Sequence, residues 1–336
     1  SVVGCGYLGA THAACMSSLG FTVIGVDTDP GKVALLQSGK LPFYEPGLDT
    51  LLEQEMKTGR LSFTTDFSAV AQASVVTICV PTPLDSKREP DLTLLRSAAT
   101  GIAPHVSNET LVVSESTSYP GTLRDVIIPI VNRLKPKESK IVYFACAPER
   151  VNPGDAIWNQ KNTPRLVGAI DEVSQIRALA FYESICDFAI TVSTPEVAEA
   201  AKIFENTFRQ VNIALVNEFA QIADALGISD REVLDAAGTK PYGFMEFNPG
   251  PGVGGHCIPV DPTYLAYVAN EVGVPATFIK RANEVNLAMP AYVVKRVIAG
   301  AGGSVKGKSV VVVGVSYKAN VADTRETPAA SIIGLL

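Results

Sequence analysis

The first 27 residues, Ser1 to Asp27, read SVVGCGYLGATHAACMSSLGFTVIGVD and decide the fold. A short apolar run is closed by glycines, a stretch with helical spacing follows, and a second apolar run ends at an acidic residue. Gly4, Gly6 and Gly9 form a GxGxxG pattern directly after the first strand and at the head of the helix. In such a turn the first glycine permits the tight bend, the second lets the backbone approach a pyrophosphate, and the third allows close helix–strand packing. The segment therefore predicts a dinucleotide site at a helix N-terminus, where free N–H groups attract phosphate.

Two features around this turn favour NAD as the dinucleotide. Asp27 ends the second strand 18 residues beyond Gly9, where its carboxylate can accept both ribose hydroxyls of NAD and repel a 2′-phosphate. VPTP (80–83) follows a later strand, so its two prolines would form a rigid wall and the Thr82 hydroxyl would face the cofactor. Each motif has a competing interpretation. The glycine-rich turn would bind nothing and Asp27 would cap a helix, and VPTP would be a plain proline turn.

Outward from this segment, residues 1–192 continue to alternate between strand and helix patterns. Alternation of this kind predicts an α/β fold with a Rossmann-like, doubly wound parallel sheet. Further strands are predicted at 74–80, 110–116 and 140–147.

The character of the chain changes at Pro195, after which some thirty residues contain neither Pro nor Gly until Gly227. Apolar residues recur there at spacings of three and four, which predicts one long helix, or two stacked end to end, as the spine of an all-helical central domain at 193–300.

SVVVVGVSYK (309–318) then predicts the first strand of a second Rossmann-like domain, 301–336, that is barely begun. The chain starts inside a strand without an initiator Met and stops inside a helix pattern, so we expect it to be cut at both ends. Shorter helices are predicted at 230–237, 262–272 and 275–299.

The composition excludes several classes of protein. Hydrophobic residues make up 47% and charged residues 18% of the chain, and the net charge of -6 gives no general attraction to nucleic acid or anionic membrane. We find no run of 18 apolar residues and no signal peptide, so we expect no membrane span. The six cysteines form no CxxC pair and no zinc-ligand spacing, which predicts reduced thiols in a cytoplasmic protein without a metal site.

The most unusual stretch is PGPGVGGHCIPVDP (249–262), where glycines and prolines precede Cys257. Such a loop lets the backbone approach a bulky ligand, and a thiolate there can attack a carbonyl. Lys202 and Asn206 lie one helical turn apart and can together bind an oxyanion. Thr117 and Glu149 each follow a strand, where a hydroxyl or carboxylate can hold water or substrate. Each of these residues also has a competing interpretation. Cys257 would be a small core residue, Lys202 a solvated surface lysine, and Thr117 and Glu149 ordinary turn residues.

Together these motifs are similar to those of one family. GCGYLG, the strand-ending Asp27, FYEPGL (43–48), VPTP, ESTSYPGT, APERVNPG (147–154), AAKIFENTFR, GPGVGGHCIPVD and VGVSYKANVADTRETP (313–328) follow in the order expected for the UDP-glucose/GDP-mannose dehydrogenase family. The resemblance implies an N-terminal NAD domain, a central helical dimerisation domain and a C-terminal UDP-binding domain of which only the opening is present. It also implies a homodimer that oxidises the C6 hydroxymethyl of a UDP-sugar to a carboxylate, in polysaccharide biosynthesis.

The resemblance further implies roles for individual residues. Cys257 matches the nucleophile, and Asp323 would orient the loop that carries Lys318 and Arg325. The catalytic group would be Cys257, Lys202, Asn206, Asp261, Thr117 and Glu149. The cofactor contacts would be Gly4, Gly6, Tyr7, Leu8, Gly9, Asp27, Lys32, Pro81, Thr82, Thr117, Glu149 and Arg325. The substrate contacts would be Glu149, Arg150, Val151, Lys202, Asn206, Phe247, Gly252, Gly254, His256 and Lys318.

Two departures bear on the sugar. The UDP-glucose type usually reads GGSCFPKD where this chain reads GGHCIPVD, and it lacks the tyrosine of STSYPGT (116–122). Both resemble the subgroup that acts on UDP-N-acetylhexosamines, so we expect UDP-N-acetylglucosamine or UDP-N-acetylmannosamine, with UDP-glucose as the alternative. From other classes, a single-step hydroxyacid dehydrogenase and a non-catalytic NAD-binding protein also fit the residues. The first needs no cysteine and the second releases no NADH, so both can be tested.

Overall fold

The computed structural model describes residues 1–45, 47–151, 157–318 and 323–336, which form two compact units, Ser1–Ile203 and Phe204–Leu336. The first unit is built on an eight-stranded sheet with the strand order β3-β2-β1-β4-β5-β6-β7-β8. Neighbouring strands are parallel, except that β6 and β7 run antiparallel. The strands are β1 (Val2–Val3), β2 (Val23–Val26), β3 (Leu61–Thr64), β4 (Val75–Ile78), β5 (Thr110–Ser114), β6 (Val142–Cys146), β7 (Arg165–Ala169) and β8 (Ala189–Thr191).

Helices and short helical turns alternate with most of these strands along the chain, as in a doubly wound fold. The helices of the first unit are α1 (Tyr7–Ser18), α2 (Pro30–Gln37), α3 (Leu48–Lys57), α4 (Thr93–Ile102), α5 (Ile128–Leu134) and α6 (Glu172–Glu183), with short helical turns at Phe67–Gln72, Ala103–His105 and Leu123–Ile127. Capping residues fix several of these starts. Asp29 accepts the N–H groups of Gly31 and Lys32 at the start of α2, and Asp171 accepts that of Ser174 in α6.

The strand order reverses between β1 and β4, so the chain leaves the sheet in opposite directions from these two neighbours. Ligands of open α/β sheets bind in the crevice at such a switch point, beyond the carboxyl ends of the strands. Gly4 lies at the end of β1 with φ of +92°, and a Cβ there would come within 2.8 Å of the Cys79 carbonyl oxygen. The glycine is therefore required by the close approach of the two strand ends.

Long helices dominate the rest of the chain. They are α7 (Pro195–Leu226), α8 (Asp230–Gly238), α9 (Asp261–Glu271), α10 (Thr277–Gly300) and α11 (Pro328–Leu335). The predicted long helix is confirmed as a single element of 32 residues. Within the second unit, Ala214 of α7 packs against Ala282 and Val285 of α10. None of the helices in the described ranges is long and apolar enough to cross a membrane.

The structure differs from the prediction at 309–318, which forms no strand. Val311 and Val313 are among the most exposed apolar residues of the chain. A strand gains its ladder bonds only beside another strand, and the described part of the second unit contains none, so apolar β-branched residues alone do not produce one here. The division at residues 192 and 300 stays a prediction.

Candidate active site

The glycine turn of the first unit has one closed side and one open side. A Cβ on Gly9 would lie 1.8 Å from the Gly4 carbonyl oxygen, so the third glycine is required by packing. A Cβ on Gly6 would meet nothing within 4 Å, so the second glycine faces open space at the N-terminus of α1. Tyr7, Leu8 and Gly9 form the first turn of that helix, where N–H groups point at a ligand. The turn therefore fits the pyrophosphate of a dinucleotide.

The acidic residue beside this turn is held in a fixed orientation. Asp27 is buried, and its Oδ2 accepts the Cys5 N–H and the Lys32 ammonium, both at 2.8 Å. Its Oδ1 accepts the Asp29 N–H at 3.0 Å. The structure thus brings together Asp27 and Lys32, two predicted cofactor contacts, and presents a fixed carboxylate of the kind that binds the ribose hydroxyls of NAD.

The loops after β4 and β5 meet at the same edge of the sheet. The Thr82 hydroxyl donates to the Thr117 carbonyl oxygen at 2.7 Å, and the Ser116 hydroxyl donates to the Val80 carbonyl oxygen at 2.8 Å. Pro81 lies exposed between these contacts. Thr82 and Thr117 are therefore neighbours, as a shared site requires, and the Thr82 proton is used within the protein while its oxygen can still accept a bond.

Glu149, beyond the end of β6, is held by donors on both oxygens. Its Oε1 accepts the N–H groups of Arg150 and Val151, each at 2.7 Å, so the backbone turns around the carboxylate. Its Oε2 accepts a bond from Arg165 Nη2 at 2.7 Å. Arg165 was not among the predicted site residues, because it lies 16 residues away from Glu149 and belongs to a strand that was not predicted. The motifs at 43–48, 147–154 and 313–328 lie partly outside the described residues, at 46, 152–154 and 319–322.

The helix that carries Lys202 is tied to the loop that carries Thr117. Glu199 is buried on α7 and accepts the N–H groups of Gly121 at 2.7 Å and Leu123 at 2.9 Å. Burial raises the pKa of the Glu199 carboxyl to about 8, against the opposing effect of these two donors. Lys202, one turn further along, is itself buried, so the interpretation as a solvated surface lysine is wrong.

The second unit contains the cysteine. Cys257 is half-buried on the turn that precedes α9, and its carbonyl oxygen accepts the N–H of Asp261, the first residue of that helix, at 2.8 Å. A helix N-terminus favours the thiolate form of a nearby cysteine. Asp261 is buried and its Oδ2 accepts a bond from Asn206 Nδ2 at 2.6 Å. Three of the predicted catalytic residues are therefore connected in this unit.

The glycines before Cys257 allow a second segment to lie against the cysteine loop. A Cβ on Gly255 would come within 2.9 Å of the Tyr317 ring, and one on Gly254 within 2.6 Å of the Tyr317 Cβ. The Gly255 N–H also donates to the Arg325 carbonyl oxygen at 2.9 Å. Tyr317 was not among the predicted site residues, and the paired glycines are the only signal in the sequence that indicated a close neighbour.

A charged group flanks the same loop. Arg325 donates to Asp323 through Nε at 2.9 Å and Nη2 at 2.7 Å, and the hydrogen bond from Arg325 is the main cause that holds the pKa of Asp323 at about 2. His256 Nδ1 lies 3.0 Å from Arg325 Nη2. Asp323 and Arg325 are therefore in direct contact, and the role of Asp323 in orienting the loop that carries Lys318 and Arg325 stays a prediction. Lys318 adjoins Tyr317 at the limit of the described residues.

The remaining predicted contacts lie in the second unit. Phe247 has its ring 6.0 Å from that of Phe208. Gly252 has φ of +129°, and a Cβ there would come within 3.1 Å of the Asn286 carbonyl oxygen. The predicted site residues thus fall into two clusters, one in each unit. The first fits a dinucleotide, and the second offers a thiol with a buried carboxylate and amide.

Comparison with known proteins identifies the family. Residues 1–186 match the model of the NAD binding domain of the UDP-glucose/GDP-mannose dehydrogenase family, and residues 196–288 match the model of its central domain. A UDP-N-acetyl-D-mannosamine dehydrogenase of Methanococcus maripaludis is 36% identical over 100% of this chain and 76% of its own length. A UDP-N-acetyl-D-glucosamine 6-dehydrogenase of Pseudomonas aeruginosa is 35% identical over 99% of this chain and 78% of its own.

A solved structure agrees with these sequence matches. The UDP-N-acetylmannosamine dehydrogenase of Pyrococcus horikoshii superimposes with a TM-score of 0.91 at 32% identity, over 99% of this chain and 80% of that one. The glycine turn, the fixed acidic residue and the cysteine loop lie within the two regions that the family models match. The chain therefore belongs to the UDP-glucose/GDP-mannose dehydrogenase family.

Proposed function

We propose that this chain is an NAD-dependent nucleotide-sugar 6-dehydrogenase that oxidises the C6 hydroxymethyl of a UDP-N-acetylhexosamine to a carboxylate. The observation that carries the proposal is the cysteine on the turn before α9, four residues from a buried Asp261 that is hydrogen-bonded to Asn206. A single-step dehydrogenase has no use for a nucleophile, whereas in a four-electron oxidation a cysteine can hold the aldehyde covalently between the two steps. The substrate class is supported by the names of the Methanococcus and Pseudomonas relatives.

The residues divide the proposed reaction into two oxidations. When bound, NAD+ accepts a hydride from C6 in each of them. Lys202, or a water held by Asp261, takes the proton of the C6 hydroxyl in the first. The Cys257 thiolate then adds to the aldehyde carbon and forms a thiohemiacetal, whose oxygen is stabilised by Lys202 and Asn206. Loss of one such donor typically costs ~3 kcal/mol of transition-state stabilisation.

The second oxidation leaves a thioester on Cys257. Water, positioned by Glu149 or Asp261, adds to the thioester carbonyl, and the bond from carbon to sulfur breaks. The sugar leaves as a carboxylate and the thiolate is restored. Thr117 and Glu149 belong to the first unit, where the Thr117 carbonyl oxygen and the Glu149 carboxylate accept hydrogen bonds, and we propose that these two residues polarise the substrate or hold this water.

A substrate panel tests the proposal. UDP-N-acetylmannosamine, UDP-N-acetylglucosamine, UDP-glucose and GDP-mannose are each offered with NAD+ and NADP+ to the full-length protein. We expect two NADH per UDP-N-acetylhexosamine and less turnover with NADP+. If only UDP-glucose is turned over, UDP-glucose replaces the UDP-N-acetylhexosamine as the proposed substrate. If no sugar yields NADH, the proposed function is contradicted.

The cysteine step is tested separately with Cys257→Ala. We expect this variant to lose the second oxidation, so that two NADH per sugar no longer form at the normal rate. Cys15→Ala is a matched control, since Cys15 is also half-buried and lies outside the cysteine loop. A Cys257→Ala enzyme that forms two NADH at the normal rate would refute covalent catalysis.

We further propose that the protein acts as a cytoplasmic homodimer. The described cysteines are free thiols, which supports a reducing compartment. An exposed apolar stripe on α7 supports a self-association surface, and it consists of Phe204, Phe208, Leu215, Ile222 and Leu226.

A further inference from the structure

The antiparallel pairing of β6 and β7 in the described sheet places a cation at the edge where the parallel strands end. β7 runs against β6 with Ala145 opposite Ala169 and Cys146 opposite Gly168. Continued for three more residues, this register sets Glu149 opposite Arg165, the first residue of β7. In a parallel strand the first residue would lie at the far edge of the sheet. The reversal of β7 is therefore what brings Arg165 to the candidate site.

Arg165 is buried and makes three contacts at this edge. Its Nη2 donates to Glu149 Oε2 at 2.7 Å, and its Nη1 donates to the Ala147 carbonyl oxygen at 3.3 Å. Glu115 Oε2 lies 3.9 Å from Nη1. Because Glu149 Oε1 already accepts two backbone N–H groups, the Arg165 bond leaves the carboxylate a single orientation.

The second carboxylate near Arg165, Glu115, is fully buried and has a cation of its own. Glu115 Oε1 lies 3.1 Å from His12 Nε2 and accepts the Tyr182 hydroxyl proton at 2.5 Å. Burial opposes ionisation of Glu115, but His12 and Arg165 lower its pKa to about 2. Burial likewise opposes protonation of His12, but Glu115 raises its pKa. His12 thus lies closest to Glu115, whereas Arg165 acts on both carboxylates and makes its shorter contact, at 2.7 Å, with Glu149.

We propose that Arg165 is a positioning residue of the dehydrogenase site, which holds the Glu149 carboxylate in the orientation used on the substrate or the attacking water. Arg165 itself need not touch either, since it acts through Glu149. This inference rests on the proposed function, because that function gives Glu149 its role. A buried arginine without its carboxylate is strongly unfavourable, so the two groups hold each other in place.

Amide hydrogen exchange tests the positioning without reference to activity. In Arg165→Met the Glu149 carboxylate loses its anchor, so we expect the Arg150 and Val151 amides to exchange about tenfold faster or more. Glu149→Gln should raise exchange at the same two amides. Arg177→Met is the matched control, since Arg177 pairs with Glu109 at the surface. Unchanged exchange in Arg165→Met would overturn the proposal.

Enzyme kinetics test whether the Arg165–Glu149 contact matters for catalysis. They use the sugar that the substrate panel identifies. We expect Arg165→Met to lose about 10- to 100-fold in kcat, with a smaller change in KM, because a misplaced group costs mainly the chemical step. Arg165→Lys should recover part of the loss and serves in its place if the methionine variant does not fold. The double variant with Glu149→Gln should be no slower than Glu149→Gln alone, whereas additive losses would overturn the proposal. If the wild type forms no NADH, the proposed function fails. The hydrogen-exchange result then still tests whether Arg165 positions the Glu149 carboxylate.

Discussion

Gly6 and Gly9 are the same residue type in one motif, yet the structure assigns them opposite requirements. Gly9 is needed by the fold, because a methyl group would collide with the Gly4 carbonyl oxygen at 1.8 Å. Gly6 is needed only if a ligand comes close, because a methyl group there would meet nothing within 4 Å. The sequence predicted both roles, since GxGxxG separates them by position.

This difference predicts that Gly9→Ala and Gly6→Ala fail in different ways. We expect Gly9→Ala to lower the free energy of unfolding by about 3 kcal/mol or more, because backbone must move to relieve the overlap. Gly6→Ala should keep the wild-type Tm and bind NAD+ at least about tenfold more weakly, through steric conflict with the pyrophosphate. Thermal denaturation and NAD+ titration measure the two effects. Unchanged NAD+ affinity in Gly6→Ala would show that the cofactor does not approach this backbone.

Glu199 gives the protein a pH-dependent stability of defined sign. Its pKa is raised from the ordinary value of 4.5 to about 8 in the folded protein, so between these values the folded state keeps a proton that the unfolded state has lost. Stability should therefore fall as pH rises from about 5 to 8, by up to about 1.4 kcal/mol per pH unit, and then level off.

The Glu199→Gln variant separates this contribution from that of other groups. It should show a shallower fall in the free energy of unfolding between about pH 5.5 and 7.5, measured with urea. Glu218→Gln, at an exposed position of the same helix, is the control and should keep the wild-type slope. Equal slopes in the wild type and Glu199→Gln would contradict the assignment.

At the scale of elements, α7 and α10 are joined by a buried amide network in the second unit. Asn217 Nδ2 donates to Asn286 Oδ1 at 2.9 Å, and Asn217 Oδ1 accepts the Gly250 N–H at 2.8 Å. Asn286 Nδ2 in turn donates to the Gln210 carbonyl oxygen at 3.2 Å. The network therefore fixes the helix pair and also anchors the start of the cysteine loop.

Asn217→Ala is expected to destabilise the protein by about 2–4 kcal/mol, because it removes this partner from the buried Asn286 amide and from the half-buried Gly250 N–H. Asn212→Ala is the control, since the Asn212 side chain bonds only to the Phe208 carbonyl oxygen of its own helix among the bonds described for it. Urea denaturation of the two variants makes the comparison. Equal stability of the two would show that the network is not a major contributor.

Length helped the prediction of helices but did not decide that of strands, since β1 and β2, with two and four residues, were predicted on either side of the glycine motif. α7, α9 and α10 were predicted because their periodicity extends over many residues, which averages out local exceptions. β3, β7 and β8, with three to five residues each, were not predicted, and the reversed direction of β7 has no signal in local sequence. The contact between Arg165 and Glu149 follows from that direction, so it was also inaccessible. The segment 309–318 was predicted as a strand and forms none. A strand-like sequence stays unpaired when no partner strand lies beside it.

At the scale of the whole molecule, α7 carries an apolar stripe that its own chain leaves exposed. At 100° per residue its members lie within an arc of about 40° on the helix surface. Leu215, near the middle, is 64% exposed. Exposed stripes of this size on a long helix usually mark an interface. The stripe consists of Phe204, Phe208, Leu215, Ile222 and Leu226.

A charge in the middle of the stripe should therefore dissociate the proposed homodimer. Leu215→Glu places a carboxylate where two copies would bury it, at a cost of several kcal/mol, so we expect light scattering to give the mass of a monomer where the wild type gives a dimer. Val272→Glu is the matched control, because Val272 is a similarly exposed apolar residue at the end of α9. It should remain a dimer. A wild type that is monomeric at micromolar concentration, or a Leu215→Glu variant that stays dimeric, would contradict self-association through this face. Since α7 also carries Lys202 and Asn206, a stable interface would hold rigid the helix on which the proposed oxyanion contacts lie.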